Sequence, residues 1–182
     1  MLLQNNFLLS IPQVKNDYFS SSLIFICEHS EQGSVGFVIN KPSNILLNEL
    51  LTQTNLGINR ELLENRILSG GPVATNQCFI IHSDDFLCKS SKKITESIYL
   101  TNGWEALEAI STGKGPKHFE IALGYAGWGS GQLEEEIARN TWLTVQAKNN
   151  ILFEADYSQR LKMAAQELGI NLDLLSHVAG HG

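Results

Sequence analysis

Short apolar runs bounded by glycine, asparagine and small polar residues alternate along this chain with stretches whose leucines and alanines recur at helical spacing. "SLIFIC" and "VGFVIN" are rich in β-branched and aromatic residues, and "EHSEQGS" between them supplies a turn, which predicts a β-hairpin. Neighbouring side chains of a strand face opposite ways, so Cys27 and His29 share a face while Glu28 takes the other. These three make one compact site only across a bulge. Pro42 is expected to end the sheet pairing and let a helix begin soon after it.

"NILLNELLTQTNLG" places Leu46, Leu47, Leu50 and Leu51 on one helical face, with Gly57 as a stop. "CFIIH" and "ITESIYL" read as strands. "NGWEALEAISTG" reads as a helix capped by Asn102, with Glu105 three residues on and Gly113 at its end. "HFEIALGY" is a strand by alternation, and "QLEEEIARN" offers Leu133 and Ile137 at helical spacing; a glycine-rich corner is expected between them. "TWLTVQA" and "NILFEA" are two more strands. "DYSQRLKMAAQELG" closes the series as a helix with Asp156 and Gln159 in capping-box spacing, Leu161, Ala164, Ala165 and Leu168 on one face, and Gly169 past its end. Helical and strand patterns are interleaved from end to end without repeat, linker or low-complexity tract, so residues 1–182 are expected to form one α/β-type domain.

Composition narrows the function classes. The chain has 182 residues, 43% of them hydrophobic, which suffices for one sizeable core. Its net charge of −6 and scattered lysines argue against a protein that coats nucleic acid electrostatically, and no strong sequence-independent affinity for duplex DNA is expected. "MLLQNNFLLSIP" has neither the basic start of a signal peptide nor the length of a membrane span, which predicts a cytoplasmic protein without a membrane partner. Three irregularly spaced cysteines fit reduced thiols rather than a disulfide framework.

No catalytic or metal constellation emerges. Cys27, His29, Cys78, His82, Cys88, His118, His177 and His181 are available, yet no CxxC or HExxH is present, and only His177 and His181 have helical-ligand spacing. There is no GxSxG elbow, and a cysteine two residues from a histidine on a strand is not an activated pair. "GYAGWGSGQLEEEI" is the best local signal, because a strand, glycines and a helix start can turn backbone amides toward an anion. Glu134, Glu135 and Glu136 would repel a phosphate there, and Gly124, Gly127, Gly129 and Gly131 equally suit a tight corner packed beside Trp128. Lys41 is either a solvated lysine or a cation lining a cleft with the "LSGGP" and "GYAGW" turns.

Together, "FLLSIP", "ICEH", "GFVINKP", "LSGGPV", "FIIHS", "LGYAGWGSGQLEEEI", "NTWLT", "NILF" and "VAGHG" resemble the AlgH/YqgE family of bacterial proteins, in the same order and over essentially the whole chain. The resemblance implies an α/β (α+β) domain with a mixed, partly barrel-like sheet flanked by helices. It implies little about activity: the family is largely uncharacterised, and one member is linked to transcriptional control of alginate production. The family's motifs fall on Cys27, Glu28 and His29, on Asn40, Lys41 and Pro42, on Gly70, Gly71 and Pro72, on Gly124, Tyr125, Trp128, Gly131, Gln132 and Glu134, and on Gly180 and His181. One departure precedes "FIIH": the family pattern places an arginine and a glycine where this chain has Gln77 and Cys78, so a site lined by that arginine in relatives has lost a charge here.

Two function classes follow. The first is a regulatory or interaction protein without catalysis, acting on an unknown protein partner. The alternative is a protein, enzymes included, that binds a small anionic or nucleotide-like ligand in a cleft formed by Asn40, Lys41, Gly70, Gly71, Gly124, Tyr125, Trp128, Gly131, Gln132 and Glu134. Neither class calls for a cofactor or metal.

Overall fold

Pro42 opens a strand rather than ending the sheet, and that difference shapes the middle of the chain. The computed structural model describes residues 2–10, 18–57, 59–62 and 64–172; His177, Gly180 and His181 lie outside the described residues. In chain order the strands are β1 (Asn6–Ser10), β2 (Leu23–Ser30), β3 (Gly33–Val38), β4 (Pro42–Leu46), β5 (Arg66–Ser69), β6 (Val73–Ser83), β7 (Ser91–Lys93), β8 (Ile98–Thr101), β9 (Phe119–Gly129) and β10 (Trp142–Gln146). The helices are α1 (Leu47–Gln53), α2 (Trp104–Ser111), α3 (Gln132–Ala138) and α4 (Tyr157–Glu167). The α/β (α+β) class expected from the sequence is what the chain has. Among the described residues each strand pairing is antiparallel except that of β5 with β9, which is parallel. Two compact units form, residues 1–41 with 126–182, and residues 42–125.

In the first unit the strand order is β10-β1-β2-β3-β9, the last contributing its residues from Ala126 on. The expected hairpin is β2 and β3, closed at Ser30 and Gly33. Its register slips between Ile26 and Glu28, so Cys27 is the extra residue of a bulge. Leu8, Ile24, Ile26, Val38, Leu133 and the two indoles of Trp128 and Trp142 form the core. Residues Asn150–Glu154, which alternation suggested as a strand, make a π-helical turn instead. Ile151 and Leu152 are consecutive and both fully buried, which a helical turn allows and a two-faced strand does not.

In the second unit the order is β4-β5-β9-β6-β8-β7. As the first residue of β4, opposite Leu68, Pro42 occupies a place where a missing N–H is tolerated. Helix α1 starts directly after β4, where the Leu46 N–H donates to Glu49 Oε2 at 2.8 Å. Of the expected strand "ITESIYL" only Ile98 onward pairs, because the N–H groups of Ile94 and Thr95 both close a turn onto Ile98 O. Leu47, Leu51, Ile67, Ile80, Ile110 and Ile121 fill this unit's core. Each such side chain contributes about 1.5–3 kcal/mol by leaving water.

Candidate functional site

A cavity of about 360 Å³ opens in the second unit. Leu50 and Thr54 come from α1 and its end, Asn76, Gln77 and Cys78 from β6, Asn102, Gly103, Trp104 and Leu107 from the start of α2, and Leu123 from β9. Its volume lies at the lower end of the range in which proteins hold small organic molecules.

The way β6 reaches this cavity depends on a local break in pairing. Val73 pairs with Tyr125 and Cys78 with Leu123, so residues 74–77 bulge out opposite Gly124 alone. Gly124 has φ +71°, and a Cβ built on it would lie 2.4 Å from Gly71 O and 2.9 Å from Val73 O. Only glycine lets the two backbones approach this closely. Within the bulge Ala74 has φ +49°, a conformation uncommon outside glycine and asparagine. Asn76 and Gln77 are thereby carried to the cavity wall.

Among the described residues the lining holds no acidic or basic side chain. Its one titratable group, the Cys78 thiol, is pushed up to about 11 by burial and therefore stays neutral across the physiological range. Among the described residues, the side chains of Asn76, Gln77 and Asn102 are exposed and take part in no hydrogen bond. Trp104, on the cavity wall, is 49% exposed. Asn102 was expected to cap α2; the cap position is Gly103, with no side-chain bond, which leaves the Asn102 carboxamide to the cavity.

The residues singled out from the sequence divide between the units. In the first, Asn40 accepts from Leu23 N–H and donates to Ser21 O, both at 2.8 Å, tying β3's exit to the start of β2. Lys41 Nζ donates to Tyr18 O at 2.7 Å and lies 5.8 Å from the centre of its ring. In the second, the Gly70 N–H donates to Leu123 O, Gly71 presents its carbonyl to Gly124, and Tyr125 stands edge-on to Phe79 at 5.7 Å. Sequence reasoning did not assemble the cavity wall. Gln77 and Cys78, however, the two positions that the resemblance had singled out, are both in it.

The glycine-rich corner is shorter than the sequence suggested: β9 runs on to Gly129, and only Ser130 and Gly131, the latter at φ +72°, turn the chain into α3. Gln132 Oε1 accepts the Gly129 N–H at 3.0 Å, and its Nε2 donates to Glu136 Oε1 at 2.9 Å. Glu136 Oε2 then accepts both indole N–H groups, from Trp128 at 2.9 Å and Trp142 at 2.8 Å. Glu134 lies 3.4 Å from His29 Nε2, whose Nδ1 bonds Ser34 Oγ at 2.8 Å. Glu136→Leu strands two buried indole donors and is expected to lower stability by about 2–3 kcal/mol, with loss of near-ultraviolet tryptophan dichroism in urea titrations. An unchanged midpoint would show that the carboxylate is ornamental to the fold.

The three cysteines are free of disulfides, with Cys27 buried and Cys78 and Cys88 half-buried. His82 is fully buried: its Nε2 lies 2.7 Å from Thr101 Oγ1 and its Nδ1 2.8 Å from Ser83 O. Among the described residues no group of three or more His, Cys, Asp or Glu is placed to hold a metal ion, and no helix is long and apolar enough to cross a membrane.

Known proteins share this architecture. The solution structure of the AlgH protein from Pseudomonas aeruginosa superposes with a TM-score of 0.83 at 38% identity, covering 100% of this chain and 97% of that one. A crystal structure of a Corynebacterium diphtheriae protein, at 16% identity and a TM-score of 0.71, shares the fold. UPF0301 proteins of Paraburkholderia phytofirmans and Thioalkalivibrio sulfidiphilus are each 42% identical, over 98% and 97% of this chain and 95% of their own length. The AlgH-like family model matches residues 7–173. With a family match over most of its length and relatives of this identity, the chain belongs to the AlgH-like, UPF0301 family of uncharacterised proteins.

Proposed function

We propose that this protein is a non-catalytic regulatory member of its family, and that the cavity in residues 42–125 receives the small organic molecule to which it responds. The observation that carries the reading is the cavity itself: an apolar floor with three carboxamides that spend no hydrogen bond among the described residues. Regulation would pass through a protein partner rather than through tight contact with duplex DNA, as the net charge of −6 suits neither phosphate neutralisation nor counterion release.

A thermal-shift screen of charged and uncharged metabolites tests this. Occupancy at a free concentration a hundredfold above Kd stabilises by about 2.7 kcal/mol. Hits are expected to vanish in Trp104→Ala, which removes an exposed wall of the cavity, and to persist in Lys41→Ala. Hits lost in Lys41→Ala instead would favour an anionic ligand held at Lys41. A screen without hits would leave the partner-binding protein as the reading to pursue.

A further inference from the structure

We infer that the cavity recognises a planar, uncharged heterocycle carrying an amide edge, the chemistry of a nucleobase or a cyclic imide without its phosphate. The inference rests on the cavity being a ligand site and names the class of ligand. Three features of the wall point the same way.

The first is charge. A phosphate or carboxylate entering this cavity would shed water without meeting a cation, since among the described residues no lysine, arginine or histidine lines it. An ammonium would likewise find no carboxylate, and the neutral Cys78 thiol supplies neither sign. The lining therefore selects for molecules that bring no net charge.

The second is hydrogen bonding. Asn76, Gln77 and Asn102 each offer a carbonyl acceptor and an NH₂ donor on one rigid plane. A carboxamide pairs in two points with any group that sets an N–H beside a C=O, as lactam and nucleobase edges do. Hydroxyls and simple ethers offer one point only. Asn76 and Gln77 sit on a bulge held by Gly124 and the positive-φ Ala74, whereas an unbulged strand would pair these residues regularly with β9.

The third is shape. Trp104 presents a half-exposed indole, and Leu50, Leu107 and Leu123 give the remaining apolar surface. An aromatic face beside leucines accepts a flat ring by stacking, and such stacking tolerates any planar base. The cavity of about 360 Å³ holds a single ring system with room for a substituent.

Uracil and 1,3-dimethyluracil provide the test, because they share ring and dipole but the second has lost both N–H donors. The full chain, labelled with ¹⁵N, is titrated with each and with amide-free uncharged aromatic fragments, following the side-chain NH₂ signals of Asn76, Gln77 and Asn102. Trp104 fluorescence gives a second readout, as the other two tryptophans are buried. Uracil is expected to shift the carboxamide signals and quench Trp104, with an affinity independent of ionic strength. Asn102→Leu, a change at an exposed position, should weaken uracil about tenfold, through loss of a two-point pair. Dimethyluracil should bind more weakly than uracil to the parent chain and equally to the variant. If amide-free aromatics bind in the cavity as well as uracil does, the ligand class is wrong while the cavity stands as a site. If no fragment of any kind perturbs these signals, the cavity itself fails as a ligand site.

Discussion

Arg160→Ala is expected to lower the unfolding free energy by about 3–5 kcal/mol, read as a fall in the urea midpoint at unchanged slope. Arg160 is only 2% exposed, the bulkiest among the fully buried side chains, and sits on helix α4. Its Nη1 donates to Ile39 O at 2.8 Å and its Nε to Ala155 O at 3.0 Å, while the guanidinium lies 4.5 Å from the centre of the Tyr157 ring. Truncation opens a cavity and leaves the Ile39 carbonyl, on a fully buried residue, without this donor. The Ala155 carbonyl marks where the π-helical turn ends and α4 begins, so the arginine also fixes the angle at which the helix leaves. Arg160→Lys keeps the charge but cannot present the same planar fork, and is expected to recover less than half of the loss. A loss below about 1 kcal/mol for the alanine variant would mean that water or neighbouring groups replace the guanidinium at no cost.

Arg160 also shows where sequence reading stops. The helical face of Leu161, Ala164, Ala165 and Leu168 was legible from spacing, and Ala164 and Ala165 are indeed fully buried. Spacing assigns a charged residue to the solvent side by default, because burial of an arginine depends on carbonyls that a distant segment supplies. Leu168, by contrast, follows the helix end and is 37% exposed.

The hairpin of β2 and β3 was readable because strand composition and turn chemistry coincide within one short window. Pro42 misled because its missing N–H forbids a ladder bond in a strand's interior but not at its first residue. The cavity was unreadable for a different reason. Its wall comes from four separate elements, and Asn76 and Gln77 face it only because β6 bulges against one glycine. Gly124 was recognisable from the sequence as a position that matters, through the resemblance, whereas its use in holding a bulge belongs to the tertiary structure. The "GWGSGQLEEE" stretch shows a similar limit. Its acidic run looked like a face that repels phosphate, yet Glu136 is spent on two indoles that lie eight positions before it and six after it.

Gly124→Ala should cost about 3 kcal/mol or more, and two other glycines separate the causes. A left-handed conformation by itself costs an alanine about 1–2 kcal/mol. Gly131 has φ +72°, almost the value at Gly124, yet nothing lies within 4 Å of a Cβ built on it. Gly131→Ala therefore reports conformational strain alone, with an expected loss of about 1 kcal/mol. At Gly57 the backbone is not left-handed and the space is also open, so Gly57→Ala should be neutral or raise stability by about 0.4–1 kcal/mol through the unfolded chain. Gly124→Ala adds a collision with Gly71 O and Val73 O, which are backbone atoms and cannot step aside as a side-chain tip can. Relief would require the 71–75 segment to move outward, which carries Asn76 and Gln77 with it. The variant is accordingly expected to shift the side-chain NH₂ signals of both residues, and to weaken any ligand of the cavity, even where it remains folded. Equal losses for Gly124→Ala and Gly131→Ala, with the Asn76 and Gln77 signals unmoved, would show that close backbone approach is not what requires glycine at position 124.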